Sequence, residues 1–263
     1  MGAQPPVDMS VNAAAEQWVL GVMSVLWCVA LVVALVQWRR SGRPIILTLF
    51  LAGGAMMLME PLVDTVGGCW FPEDSIIFYS GWGRPIPLWV CMTYFVYFGL
   101  GAGGAYYMMI NGARYGQLML FYLGEILADT LLEIVMLNSG AYTYYGNQPL
   151  VMASFPLWWA MVNSLISFAA AAVTYTLAPR LRGPALILLI PALLCTSAAV
   201  NAAVGWPAWF AVNSDLGVVG TQLAGLVTCL FAFGLAHAIA TQMSRQARKS
   251  AVAGQRNTMM GVA

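Results

Sequence analysis

The sequence predicts an all-α integral membrane protein, a bundle of about seven transmembrane helices with the N-terminus outside and the C-terminus in the cytoplasm. Three observations predict it. Of 263 residues, 61% are hydrophobic and only 8% charged, against roughly 25% charged in an ordinary soluble domain. Apolar runs recur at lengths that cross about 30 Å of hydrocarbon. Basic residues gather at alternate ends of those runs, as the positive-inside rule requires.

The runs lie at 18–38, 45–66, 87–110, 118–137, 155–177, 185–204 and 216–241. An extracytoplasmic segment, 1–17, precedes them, and residues 244–263 read as a disordered basic cytoplasmic tail. The transmembrane domain is therefore 18–243, in a multi-pass protein of the cell membrane. No basic stretch precedes the first run, so it reads as a retained helix and not a signal peptide. Arg39, Arg40 and Arg43, then Arg114, then Arg180 and Arg182, then the tail, mark the cytoplasmic junctions. No internal repeat is apparent, which argues against a transporter built from inverted halves.

Three other junctions are rich in Gly, Pro and aromatic residues: 67–86, 138–154 and 205–214. Two readings stand for them, an interfacial aromatic belt or a wall over a cavity that opens to the outer leaflet. Gly99, Gly101, Gly103 and Gly104 in the third run permit close helix approach.

Carboxylates carry the functional signal. Glu60 and Asp64 lie four residues apart in the second run, and Glu125, Asp129 and Glu133 form one stripe along the fourth. Asp215 opens the seventh run. A charge at mid-membrane costs at least ~2.5–3.5 kcal/mol on insertion scales, so these acids should face the bundle interior. A rise of about 1.5 Å per residue puts Glu60 roughly 22 Å above the cytoplasmic end of its helix. Glu60, Asp64, Glu133 and Asp215 then share the outer half of the bundle, with Asp129 near the middle. Plain structural roles stand beside this: Asp215 as a helix cap, Asp64 at headgroup depth, Glu125 bonded to a neighbouring helix. Asn163 and Asn201 are interior hydrogen-bond partners or interhelical glue.

Residue counts exclude much chemistry. One histidine, His237, cannot make a bis-His haem or a multi-histidine di-iron site. The only lysine, Lys249, lies in the tail, which rules out a retinal Schiff base. No GxSxG elbow is present. The Glu125-x3-Asp129-x3-Glu133 stripe lacks the cations that a Mg²⁺-diphosphate site needs. The five cysteines imply neither a disulfide framework nor a CxxC site. Neither a metal nor a cofactor is implied, and a net charge of +1 offers no field for nucleic acid.

Acid chemistry in an apolar, aromatic cavity remains. Desolvation favours a protonated carboxyl, and a nearby carboxyl adds to that preference. A pair such as Glu60 with Asp64, or Glu60 with Asp215, can hold one proton between them. Such an acid can protonate an alkene or open an epoxide, and π faces can cushion the resulting carbocation. Trp82, Trp89, Tyr94, Tyr142, Tyr144, Trp158 and Trp159 are the candidate wall, each with a second reading as belt or packing residue.

The layout resembles the small membrane-bound terpene cyclases of meroterpenoid and indole-sesquiterpenoid pathways. Glu60 in MMLMEPLVD and Asp215 in VNSDLG stand where that family carries acids, on an early helix and near the last. Separately, GAYTYYGNQPL followed by FPLWW is similar to a stretch of membrane carotenoid cyclases and hydratases. Both resemblances imply proton-initiated alkene chemistry; neither accounts for Asp129 and Glu133. The expectation is a cyclase acting on a lipid-soluble isoprenoid or prenylated aromatic, with Glu60, Asp64, Asp129, Glu133 and Asp215 as its acids. The aromatic residues above and Asn163 would bind the substrate. A proton- or cation-coupled transporter is the alternative, and a non-catalytic scaffold a third possibility. No broken helix, a frequent mark of transporters, is evident in the sequence. Oligomeric state stays open.

Overall fold

A computed structural model describes residues 4–260, with side chains to Lys249. The chain is 74% helical. Among the described residues, six helical stretches are long and apolar enough to cross a membrane: Ala13–Ser41, Ile45–Gly67, Leu88–Ile110, Trp158–Arg180, Gly183–Val204 and Val218–Lys249. Their outward faces are apolar too, with Val25, Val29 and Val32 exposed on the first and Leu223, Leu230 and Phe231 on the last. Exposed side chains of this kind need lipid, not water, as solvent.

The first helix, α1 (Ala13–Ser41), is well bounded. Asn12 caps its start by accepting from the Ala15 N–H, Glu16 lies in the first turn, and Arg39 and Arg40 lie in the last. Each charge suits the helix end it occupies. Gly42, at φ 68°, turns the chain out of the helix in the left-handed conformation that glycine adopts without strain.

The second stretch tightens midway. α2 (Ile45–Met56) passes through one tight turn, Met57–Met59, into α3 (Glu60–Gly67). Pro61 is the cause: it lacks the N–H that would reach the Met57 carbonyl four residues back. The Glu60 N–H takes that carbonyl instead, and the Tyr79 hydroxyl joins it at 2.5 Å.

After α3 the chain folds over one end of the bundle. Strand β1 (Cys69–Trp70) is followed by the hairpin β2 (Ile77–Gly81) and β3 (Arg84–Pro87), turned by Trp82 and Gly83, both at positive φ. The third stretch then runs α4 (Leu88–Tyr94), a wide π turn Phe95–Leu100, and α5 (Gly101–Ile110). Gly99 in that π turn lies against α2: a Cβ added there would sit 2.8 Å from the Phe50 Cα. The expectation that these glycines serve close packing is met at Gly99.

α6 (Tyr115–Asn138) is an unbroken helix of 24 residues carrying Glu125, Asp129 and Glu133. It packs on α7 (Trp158–Leu177), on α5 and on the last helix. Strand β4 (Thr143–Tyr144) pairs with β1, so Cys69 faces Tyr144. A small hairpin, β5 (Val151–Met152) and β6 (Phe155–Pro156), leads into α7. α7 is the central helix, with Trp158, Val162, Leu165, Phe168, Ala170 and Ala171 wholly buried.

α8 (Leu189–Ala199) ends in a second π turn, Val200–Val204, before α9 (Trp206–Val212). The last helix, α10 (Val218–Met260), runs past the expected end at 241 and through the basic segment read as a disordered tail. Ala, Gln, Arg and Lys in that segment are good helix formers. Residues 261–263 of the expected tail lie outside the described residues.

The ends of the bundle differ chemically. At one, the Arg43 guanidinium donates to the carbonyls of Ala178 and Leu181, at 2.6 and 3.1 Å, and the Tyr115 hydroxyl meets His237 Nδ1 at 2.9 Å. All the basic junctions gather there. The hairpins and acidic loops gather at the other, the loop end, where Asp74 accepts from the Val11 N–H and Glu16 from the Ile76 N–H.

Candidate active site

The break at Pro61 puts Glu60 and Asp64 on successive turns of a short helix just beneath the loop end. Asp129 and Glu133 reach the same depth from α6. These four carboxyls line one chamber of about 80 Å³. Asp64 and Asp129 are 3% and 4% exposed, and Glu60 is 9%.

Each acid has its own partners. The Tyr94 hydroxyl donates to Glu60. Tyr142 and Tyr144 both donate to the same Glu133 oxygen, Tyr144 at 3.2 Å. The Asn163 amide donates to Asp129 at 3.3 Å. One Asp64 oxygen has no partner, nor has the side-chain oxygen of Asn201 or the indole N–H of Trp89 and Trp159. All four residues line the chamber. Buried polar groups are normally satisfied, and these four give the chamber hydrogen-bonding capacity that water or a polar guest can take.

The walls are aromatic and nearly continuous. Phe71 contacts Trp89 and Tyr142 at ring-centre distances of 5.7 and 5.1 Å. Tyr142 contacts Tyr144 at 5.8 Å, and Tyr144 contacts Trp159 at 6.2 Å. Tyr94 lies 4.7 Å from Phe98 on the α4 side. Burial pushes the Tyr142 and Tyr144 hydroxyls well above the ordinary phenol range, and Glu133 adds to the shift. Both therefore remain hydrogen-bond donors. Burial likewise raises the Cys69 thiol.

The loop end covers one side of the chamber. Arg84, 8% exposed, donates to Thr65 at 3.1 Å, to the Cys69 carbonyl at 3.5 Å and to the Tyr145 hydroxyl at 2.6 Å. Its guanidinium also lies over the Trp70 ring at 5.2 Å. The final carbonyls of α3 are taken by Gln148, 2.7 Å from Gly67 O, and by Asn213, 2.6 Å from Val66 O. A helix end buried without such partners would be unstable.

The expected site residues separate clearly. Glu60, Asp64, Asp129, Glu133, Trp89, Tyr94, Tyr142, Tyr144, Trp159 and Asn163 line the chamber. Three do not. Asp215 is exposed in the turn between α9 and α10, because α10 begins only at Val218 and leaves the acid in solvent ahead of it. Trp82 sits at a hairpin tip, 73% exposed. Trp158 is fully buried and stacks behind Trp159 at 4.1 Å without reaching the chamber.

Tyr97, Phe98, Phe71 and Cys69 also line it and were missed. The spacing of Tyr94, Tyr97 and Phe98, three and four residues apart, was the signal for two of them. Ile45–Gly67, Leu88–Ile110 and Gly183–Val204 each run as one continuous helical stretch, but each departs locally from α geometry beside the chamber. Local π turns recur at functional sites because they swing side chains out of helical register. Here Tyr97, Phe98 and Asn201 lie in such turns. Comparison with family models, with curated proteins and with solved structures returns no match.

Proposed function

We propose that the chain is a seven-span, membrane-bound terpene cyclase acting on a lipid-soluble prenyl chain. In this reading α6 is the seventh span, the basic end faces the cytoplasm and the loop end lies outside. The observation that carries the proposal is the convergence of Glu60 and Asp64 with Asp129 and Glu133 on one aromatic chamber.

Glu60 and Asp64 share the starting proton, since two adjacent carboxyls in a dry site do not both ionise readily. That proton adds to the terminal alkene, or to the epoxide oxygen as its C–O bond breaks. The electron pair of a neighbouring alkene then closes a C–C bond on the cationic carbon. Phe71, Trp89, Tyr142 and Trp159 present ring faces to the moving positive charge. Glu133 takes the last proton, from carbon beside the final cation, as that C–H pair forms the new alkene. Its two phenol donors suit a carboxylate that receives a proton. Substrate and product are isomers, and the proton returns from Glu133 to the Glu60 pair across the chamber.

The acids on one chamber, beside three local departures from α geometry, favour a second reading, a proton-coupled transporter. Against it, the other half of the bundle is packed with the buried side chains of Tyr106, Leu118, Tyr122, Phe168 and Ala171. Solute uptake driven by a pH gradient in liposomes would support the transporter.

Expression in a host enriched in prenyl lipids tests the cyclase. New cyclised products, missing from an empty-vector control and from a folded Glu60→Gln variant, are expected. Full product formation by Glu60→Gln would remove the proposal.

A further inference from the structure

The chamber is far smaller than the substrate this reading requires. At about 80 Å³ it has room for a handful of water-sized groups, whereas sites that enclose whole organic ligands measure about 300 Å³ or more. Only the reacting part of a prenyl lipid fits, so the remainder needs a place of its own that joins the chamber.

One groove borders the chamber. It runs between α1 and α6, has a volume of about 460 Å³, and is walled by Ala15, Trp18, Val22, Leu132, Val135 and Met136. Leu132 lines both groove and chamber, between the two chamber acids of its own helix, Asp129 and Glu133. A larger groove of about 530 Å³ lies beside Arg43 near the basic end, but it shares no residue with the chamber.

We propose that the α1–α6 groove holds the apolar body of the substrate, with Leu132 as the threshold between that body and the end that reacts. The inference rests on the cyclase reading and supplies its route from the bilayer. Hydrocarbon gains little by leaving lipid for an apolar groove, since lipid tails are as apolar as leucine. Selection therefore falls to the end that reacts, whose epoxide oxygen meets the unpartnered indole N–H groups of Trp89 and Trp159.

Photolabelling in phosphatidylcholine nanodiscs tests it, with a farnesyl-length hydrocarbon that bears a terminal epoxide and a mid-chain diazirine as the probe. Adducts are expected on residues 14–23 and 132–139 at least tenfold above those on the lipid-facing Leu223, Leu226 and Leu230. The matching hydrocarbon without the epoxide should show no such preference. Leu132→Trp, which fills the threshold, and Ala15→Phe, which narrows the opposite wall, should each cut groove labelling at least fivefold. Equal labelling of groove and α10, or labelling unmoved in both variants, would overturn the inference. The two proposals fail separately. A labelled groove with no cyclised product from any prenyl lipid would remove the cyclase and keep the groove. Full turnover by a folded Ala15→Phe variant with an unlabelled groove would remove the groove and keep the cyclase.

Discussion

Cys69 and Tyr144 face each other across a two-residue antiparallel ladder. That pairing ties the end of α3, which carries Asp64, to the loop whose tyrosines hold Glu133. The two acid pairs thus come from helices far apart in sequence and are set against each other through this strand contact and the Gln148 bond to the end of α3. Loosening it should disturb the chamber before it disturbs the bundle.

Glu133→Gln should differ from Glu60→Gln in kind. Under the proposed roles, Glu60→Gln gives no product. Glu133→Gln still starts the reaction but removes the proton acceptor, so products that lose their proton elsewhere or capture water should appear. Gas chromatography with mass detection reads the difference. Identical, empty profiles for both variants would contradict the assignment.

Pro61→Ala should restore the N–H that reaches the Met57 carbonyl and draw α2 and α3 into one regular helix. Glu60 then turns away from Tyr94. Turnover should fall at least tenfold while the melting temperature holds or rises, because proline inside a helix costs about 3 kcal/mol. A variant that melts early and keeps its activity would show that the break is not what aims Glu60.

Arg84→Met keeps the stem of the side chain and removes its donors to Thr65, Cys69 and Tyr145. Hydrogen bonds to a charged group contribute about 1.5–3 kcal/mol each, and their loss should loosen the loop end. Arg84→Lys should not restore it, since an ammonium cannot reproduce the planar fork. Labelling of Cys69 by a charged maleimide, quantified by peptide mass spectrometry, reports the opening. Burial holds the Cys69 pKa high, and only thiolate reacts. Wild-type labelling should therefore be slow at pH 7 and rise with pH, and it should quicken at least tenfold in Arg84→Met. Unchanged labelling would mean that Arg84 does not hold the cover closed.

Gly53→Val should destabilise the bundle. A Cβ at Gly53 would overlap the backbone of the π turn, approaching the Gly99 Cα at 2.7 Å and the Tyr94 carbonyl at 2.8 Å. Overpacking of this sort costs about 1–3 kcal/mol. Gly21→Ala, with nothing within 4 Å, serves as the control and should gain stability through helix propensity. Thermal unfolding in detergent separates the two, and equal effects would refute the close crossing.

The sequence by itself determined the helical, lipid-soluble character of the chain. It also determined which acids lie on one helical face, because hydropathy and a period of 3.6 residues are local properties. Glu60 with Asp64, and Asp129 with Glu133, were legible as stripes for that reason. Tertiary structure alone decided which stripes meet. It set Asp215 in solvent ahead of α10, left Trp82 on a hairpin tip and placed Trp158 behind Trp159. It also brought Tyr97, Phe98 and Asn201 to the acids through π turns that no hydropathy pattern records. The physical reason is that a carboxyl's insertion cost requires an interior position but names no partner. Partners come from helix crossings such as that at Gly99 and from the pairing of Cys69 with Tyr144, which join residues distant in sequence.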